Sequence, residues 1–130
     1  MDKNKLPHNH GEETNQILKN LPETKDFEKI SELFKLLGDS KRVKIFWILC
    51  HTESCVINLS AIMEMSSPAV SHHLKFLKSA GLIESRRDGK EVYYKAAQSA
   101  LVKTLHNMLK KVTEVTCPDT CNFSQKNVDK

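Results

Sequence analysis

No stretch of this sequence is apolar for anything near the ~20 residues that a membrane span needs, and no part of it reads as a secretory leader. The N-terminus, MDKNKLPHNHGEETNQ, is polar from its first residues and lacks the apolar segment of a signal peptide. A cytoplasmic chain without a membrane partner is the expectation. There is no glycine-rich phosphate loop and no internal repeat, and low complexity is confined to the two polar ends. Cysteine is scarce, with Cys50, Cys55, Cys117 and Cys121 the only four in 130 residues. In a reducing compartment these are expected as thiols, and spaced thiols there suggest metal or redox chemistry more than a disulfide framework. Cys55 has no sequence-evident base or orienting group to make it a nucleophile, so an enzyme is not expected. Neither sign of charge dominates: 20 Lys and Arg stand against 16 Asp and Glu, a net +4 whose distribution matters more than its sum.

What is present is a succession of short amphipathic segments that fits one domain of mainly α structure. Residues 1–22 carry His8 and His10 and show no sustained periodicity beyond a short amphipathic turn around ILKNL; they read as a flexible arm. Residues 23–115 read as the folded domain, and residues 116–130 as a cysteine-containing tail. Phe27, Ile30, Leu33, Phe34 and Leu37 recur on one face of a first helix that Gly38 stops. Asp39 or Ser40 caps a second helix with Val43, Phe46, Trp47 and Cys50 on its buried side, so Cys50 is expected in the core. A short third helix covers residues 58–65. Ser67 as N-cap and Pro68 at the first helical position then start a fourth, which ends at Gly81.

The segment LIESRRDGKEVYYKA predicts two strands around Asp88-Gly89, a dipeptide that supplies the positive φ of a tight hairpin turn. From Ser99 to about Val115, Leu101, Leu105, Met108, Leu109, Val112 and Val115 form a long apolar stripe on a last helix. His106 is expected on that helix's surface.

The third and fourth helices, a short turn between them and a basic hairpin after them make a winged helix-turn-helix. On the fourth helix Val70, Leu74 and Leu77 share a face that His73 borders, while Ser67, Ser71, His72 and Lys75 lie opposite. His72 is thus expected outward, toward the major groove and phosphates of a DNA duplex, and His73 at the helix base. Adjacent residues on a helix stand about 100° apart, so His72 and His73 cannot both bind one metal ion. Arg86, Arg87 and Lys90 on the hairpin are candidates for phosphate or minor-groove contacts.

LGDSKRVKIFWIL, ESCV, VSHHLKFLKSAGLI and RRDGKEVYY together resemble the ArsR/SmtB family of metal-responsive winged-helix repressors, from about residue 27 to 115. The resemblance implies a homodimer built on the first and last helices of that domain. It also implies a palindromic operator that is bound without metal and released when metal binds. The amphipathic last helix agrees independently, since a monomer of this size has little else to cover its stripe.

One of the family's metal sites lies on the last helix, and the aligned positions here are Gln98, Ala100, Lys111 and Glu114. Only the glutamate could coordinate, so that site is not expected. The other pairs a third-helix cysteine with the N-terminal arm. Cys55 matches that cysteine and His8 and His10 stand in the arm, but Ile57 occupies the position of a second thiolate found in cadmium- and lead-sensing members. Cys117 and Cys121 could supply the missing sulfur. Cys55 and Cys117, supported by Cys121 or by His8 and His10, would make a sulfur and nitrogen set that suits Zn²⁺ or Cd²⁺, with Pb²⁺ and Cu⁺ as further candidates. Two alternatives stay open: a redox or reactive-sulfur-responsive repressor of the same fold, and a metal-buffering protein with no DNA role.

Overall fold

A computed structural model of the chain describes residues 6–114. The chain divides near the end of its second helix into two compact units, 1–34 and 35–130. In the first unit, α1 (Glu12–Lys19) is an eight-residue helix within what the sequence suggests is an arm; two glutamates in its first turn and Lys19 in its last suit the helix dipole. It is followed by α2 (Thr24–Leu36), which crosses the division. Phe27, Ile30 and Phe34 on α2 are exposed.

The second unit holds the helix-turn-helix. Asp39 caps α3 (Ser40–His51), its carboxylate accepting the Arg42 amide at 3.0 Å. That bond is the main reason the Asp39 carboxyl titrates below the usual range. Next come a two-residue strand, β1 (Ser54–Cys55), which the sequence does not announce, and α4 (Val56–Met63). Helix α4 closes on Glu64, a left-handed residue at φ 55°, with the Met65 amide returning to the Ser60 carbonyl at 3.1 Å.

Helix α5 (Ser67–Ser79) starts one residue earlier than the sequence suggests. Ser66, not Ser67, is the cap, its hydroxyl accepting the Ala69 amide, and Pro68 follows in the first turn. The helix ends as expected at Gly81, whose φ of 78° lets the Leu82 amide reach the Leu77 carbonyl. Strands β2 (Ile83–Asp88) and β3 (Glu91–Ala96) pair antiparallel around Gly89 and form the wing. β1 adds to the other edge of β3 through Ser54–Tyr94 and Cys55–Tyr93, giving the sheet order β1-β3-β2. Ser99 caps α6 (Ala100–Thr113).

The core is built around α3, where Ile45, Phe46, Leu49 and Cys50 are fully buried, and Leu59 of α4 and Val70 and Leu77 of α5 are fully buried in the same unit. Each large side chain buried there contributes about 1.5–3 kcal/mol of transfer free energy. One expectation for α6 is corrected. Its buried face is Val102, Leu105 and His106, and on this single chain Leu101, Met108 and Val112 of the predicted stripe are exposed. His106, expected at the surface, is fully buried because the rings of Trp47 and His51 from α3 meet it, at 5.5 Å and 5.1 Å.

Candidate nucleic-acid interface

The fourth predicted helix, now α5, divides its two adjacent histidines as the sequence suggests. His73 is buried with Val70, Leu74 and Leu77, and Ser67, Ser71, His72 and Lys75 are exposed. The His72 ring stands edge-on to Phe76 with centroids 4.7 Å apart, which restrains an otherwise free side chain. His73 accepts at Nδ1 a hydrogen bond from Arg42 Nε, 3.2 Å away. Arg42 also donates through Nη1 to the Leu36 carbonyl and lies 4.7 Å above the Phe76 ring. The base of α5 is thereby fixed to α3 by one guanidinium, a partner that pattern reading could not supply.

Contacts at both ends orient α5 relative to its neighbours. The Ser67 and Ser60 hydroxyls meet at 3.2 Å and join the two helices of the helix-turn-helix. Lys78 Nζ donates to Ser85 Oγ at 2.7 Å and ties the end of α5 to the wing.

On the wing, Arg87 and Lys90 are exposed. Arg86 is exposed too, but its fork is engaged: Nε and Nη2 donate to the two carboxylate oxygens of Glu53, both at 2.8 Å, and its guanidinium lies 4.9 Å from the Tyr93 ring centroid. This bidentate pair holds the Glu53 carboxyl below its ordinary range. Arg86 therefore fastens the wing to the turn before β1, while Arg87 and Lys90 are exposed, with Arg87 Nη1 donating to the Gly89 carbonyl at 3.5 Å. Glu53 and Arg42 are the functional-site residues the sequence reading missed. Neither lies on α5 or the wing, and their partners stand 33 and 31 residues away along the chain.

Three of the expected metal donors, Cys55, His8 and His10, lie among the described residues. Cys55 is buried in β1, where it occupies the N-cap of α4 without making a side-chain cap bond. Ile57, in place of a second thiolate, is 65% exposed. Cys50 is buried in α3, as expected of a core residue. His8 and His10 stack on one another at 5.8 Å in the first unit. Cys117 and Cys121 lie outside the described residues. Among the described residues, no three His, Cys, Asp or Glu side chains gather closely enough to hold a metal ion. No helix of the described residues is long and apolar enough to cross a membrane.

Residues 39–85 match the family model of bacterial regulatory proteins of the arsR family. The chain is 34% identical over 90 residues to the transcriptional repressor SmtB homolog of Synechocystis sp., covering 69% of this chain and 68% of that protein. It is 37% identical over 86 residues to the cadmium resistance transcriptional regulatory protein CadC homolog of Staphylococcus aureus, covering 65% and 70%. Among solved structures, it is similar to the homodimeric winged helix-turn-helix DNA-binding domain of a Mycobacterium bovis protein, with a TM-score of 0.61 and 28% identity over 68% of this chain and 81% of that one.

Proposed function

The chain belongs to the ArsR/SmtB family of winged helix-turn-helix transcriptional regulators, and on that premise we propose that it is a repressor that releases its operator when a thiophilic divalent metal binds. The observation that carries the DNA half is the exposed Ser67, Ser71, His72 and Lys75 on a helix whose other face is buried and whose end is tied to a basic wing. Such a helix fits the major groove, and Arg87 and Lys90 reach the flanking phosphates, with Arg86 holding the wing in place.

The operator is palindromic and the protein a cytoplasmic homodimer. Exposed Phe27, Ile30 and Phe34 on α2, and Leu101, Met108 and Val112 on α6, give a second copy apolar surface to cover. The Mycobacterium bovis domain is homodimeric.

For the metal half, the relatives are a repressor homologous to SmtB and a cadmium resistance regulator. The donors assigned here are Cys55, Cys117 and Cys121 with His8 and His10, a sulfur and nitrogen set suited to Zn²⁺ or Cd²⁺, then Pb²⁺ or Cu⁺. The Cys55 thiol makes no cap bond to the α4 backbone, so ligation sacrifices no capping interaction. An inducer shifts the equilibrium only by its differential affinity, so the DNA-free form must be the tighter metal binder.

Cys55→Ser tests the assignment. Serine is a better N-cap than cysteine, so the variant is expected to fold and bind operator as the parent does. It should then fail to release DNA at Cd²⁺ concentrations that release the parent; release at the parental concentration removes Cys55 from the ligand set.

A further inference from the structure

His51, at the end of α3, and His106, in the middle of α6, bring their Nε2 atoms to 3.4 Å. The rings meet edge to face at 75°, and the Trp47 ring packs against both, at 4.9 Å from His51 and 5.5 Å from His106. His106 is fully buried and His51 half-buried, so the pair sits at the edge of the core. As a nitrogen-to-nitrogen hydrogen bond this separation is at the loose end. Two imidazole nitrogens on one tetrahedral ion, each ~2.0–2.1 Å from it, stand ~3.4 Å apart. The spacing therefore admits a shared ion as well as a shared proton.

We propose that His51 and His106 form a metal site of their own, taking a divalent ion of the zinc, nickel and copper class that imidazole favours. Neither histidine belongs to the ligand set assigned above, and the site does not depend on the operator response. It joins the central helix of the DNA-binding unit to the last helix.

Burial, the neighbouring His51 and Lys110 hold the His106 imidazole down to about 4, so near neutral pH it is in the uncharged form that ligates. Burial first, then Lys110, lowers His51 as well. In the metal-free pair one Nε2 carries the proton and the other accepts it. Ligation by both requires the donor ring to carry its proton on Nδ1 instead, with no net loss of a proton from the pair. Lys110 repels a cation, which favours an ion that forms strong bonds to nitrogen over a hard, oxygen-seeking one such as Mg²⁺ or Ca²⁺.

The test uses the full chain with Cys55, Cys117 and Cys121 replaced by serine, which removes the thiolate donors of the other site. Histidine ring nitrogens are followed by ¹⁵N NMR as Zn²⁺ is added in the absence of DNA. The expected result is that the His51 and His106 Nε2 resonances move together and saturate within a few equivalents. The thermal midpoint should rise with Zn²⁺, as it does for any ligand bound only by the folded state. Both responses should be lost in His51→Gln, a half-buried position that tolerates an amide, and in His106→Gln. Zn²⁺ that leaves both Nε2 resonances in place, or moves only His8, His10 or His72, overturns the site. So does a midpoint that rises equally in His51→Gln. Neither readout involves operator release, so failure here is distinct from failure of the Cys55 assignment.

Discussion

Arg42 Nε donates to His73 Nδ1 across 3.2 Å, and through that bond the base of α5, the proposed recognition helix, is held by α3. The same guanidinium reaches the Leu36 carbonyl and covers the Phe76 ring. Arg42→Ala removes all three interactions and leaves His73 buried with an unmet acceptor. A loss of about 1–3 kcal/mol in unfolding free energy is expected. Arg42→Lys keeps the charge but not the planar fork, and should recover only part of the loss.

The bond also fixes a pH dependence. Nδ1 must be unprotonated to accept from Arg42, and burial, ahead of the Arg42, His72 and Lys41 charges, lowers the His73 pKa from 6.5, with Asp39 opposing them. Because the folded value is the lower one, the unfolded chain binds the proton first. Stability is therefore in place above about pH 6.5 and falls as pH drops below it. Urea midpoints at pH 7.5 and 5.5 should show the decline, and His73→Gln should show less of it.

Charge and sequence readout separate on the DNA face. Arg87→Ala or Lys90→Ala should weaken binding by a similar factor on every duplex and reduce the slope of log affinity against log salt by about 1. His72→Ala or Ser71→Ala should instead narrow the gap between operator and scrambled duplex, by about 1–3 kcal/mol if the side chain reads a base edge. Anisotropy titrations at several salt concentrations on both duplexes distinguish the two behaviours.

Glu64 holds a left-handed conformation in the turn between α4 and α5, at φ 55°. Such a backbone costs a non-glycine residue roughly 1–2 kcal/mol. Glu64→Gly relieves that strain and gives back part of it as unfolded-state entropy. A net gain of about 0.5–1 kcal/mol is expected, read as a higher thermal midpoint with unchanged operator affinity.

The sequence carried the local part of this architecture. Asp39, Gly81 and Ser99 cap or stop helices where their chemistry requires, and the four-residue spacing of Val70, Leu74 and His73-to-Leu77 divides α5 into buried and exposed faces. The helix start at Ser66 rather than Ser67 is a choice between two adjacent serines before one proline, which pattern alone does not resolve. What pattern missed depends on partners far along the chain. β1 is two residues long and exists because Tyr93 and Tyr94 of β3 pair with it. Glu53 and Arg42 acquire their roles from residues more than thirty positions away. His106 is polar and sits in a helix with an apolar stripe, so periodicity assigned it to the surface; the Trp47 and His51 rings put it in the core instead. The stripe itself was visible, but a period of 3.6 residues cannot say whether the chain or a second copy covers it.

The central claim is most directly tested by fluorescence anisotropy of labelled duplex from upstream of the protein's own gene. The reduced, metal-free protein is titrated in first, and Cd²⁺ or Zn²⁺ is then added to about one equivalent per subunit. Tight binding in moderate salt that collapses on metal addition is the predicted result. Tight binding that neither metal alters would contradict the account, leaving a DNA-binding regulator whose cysteines answer to something other than these ions.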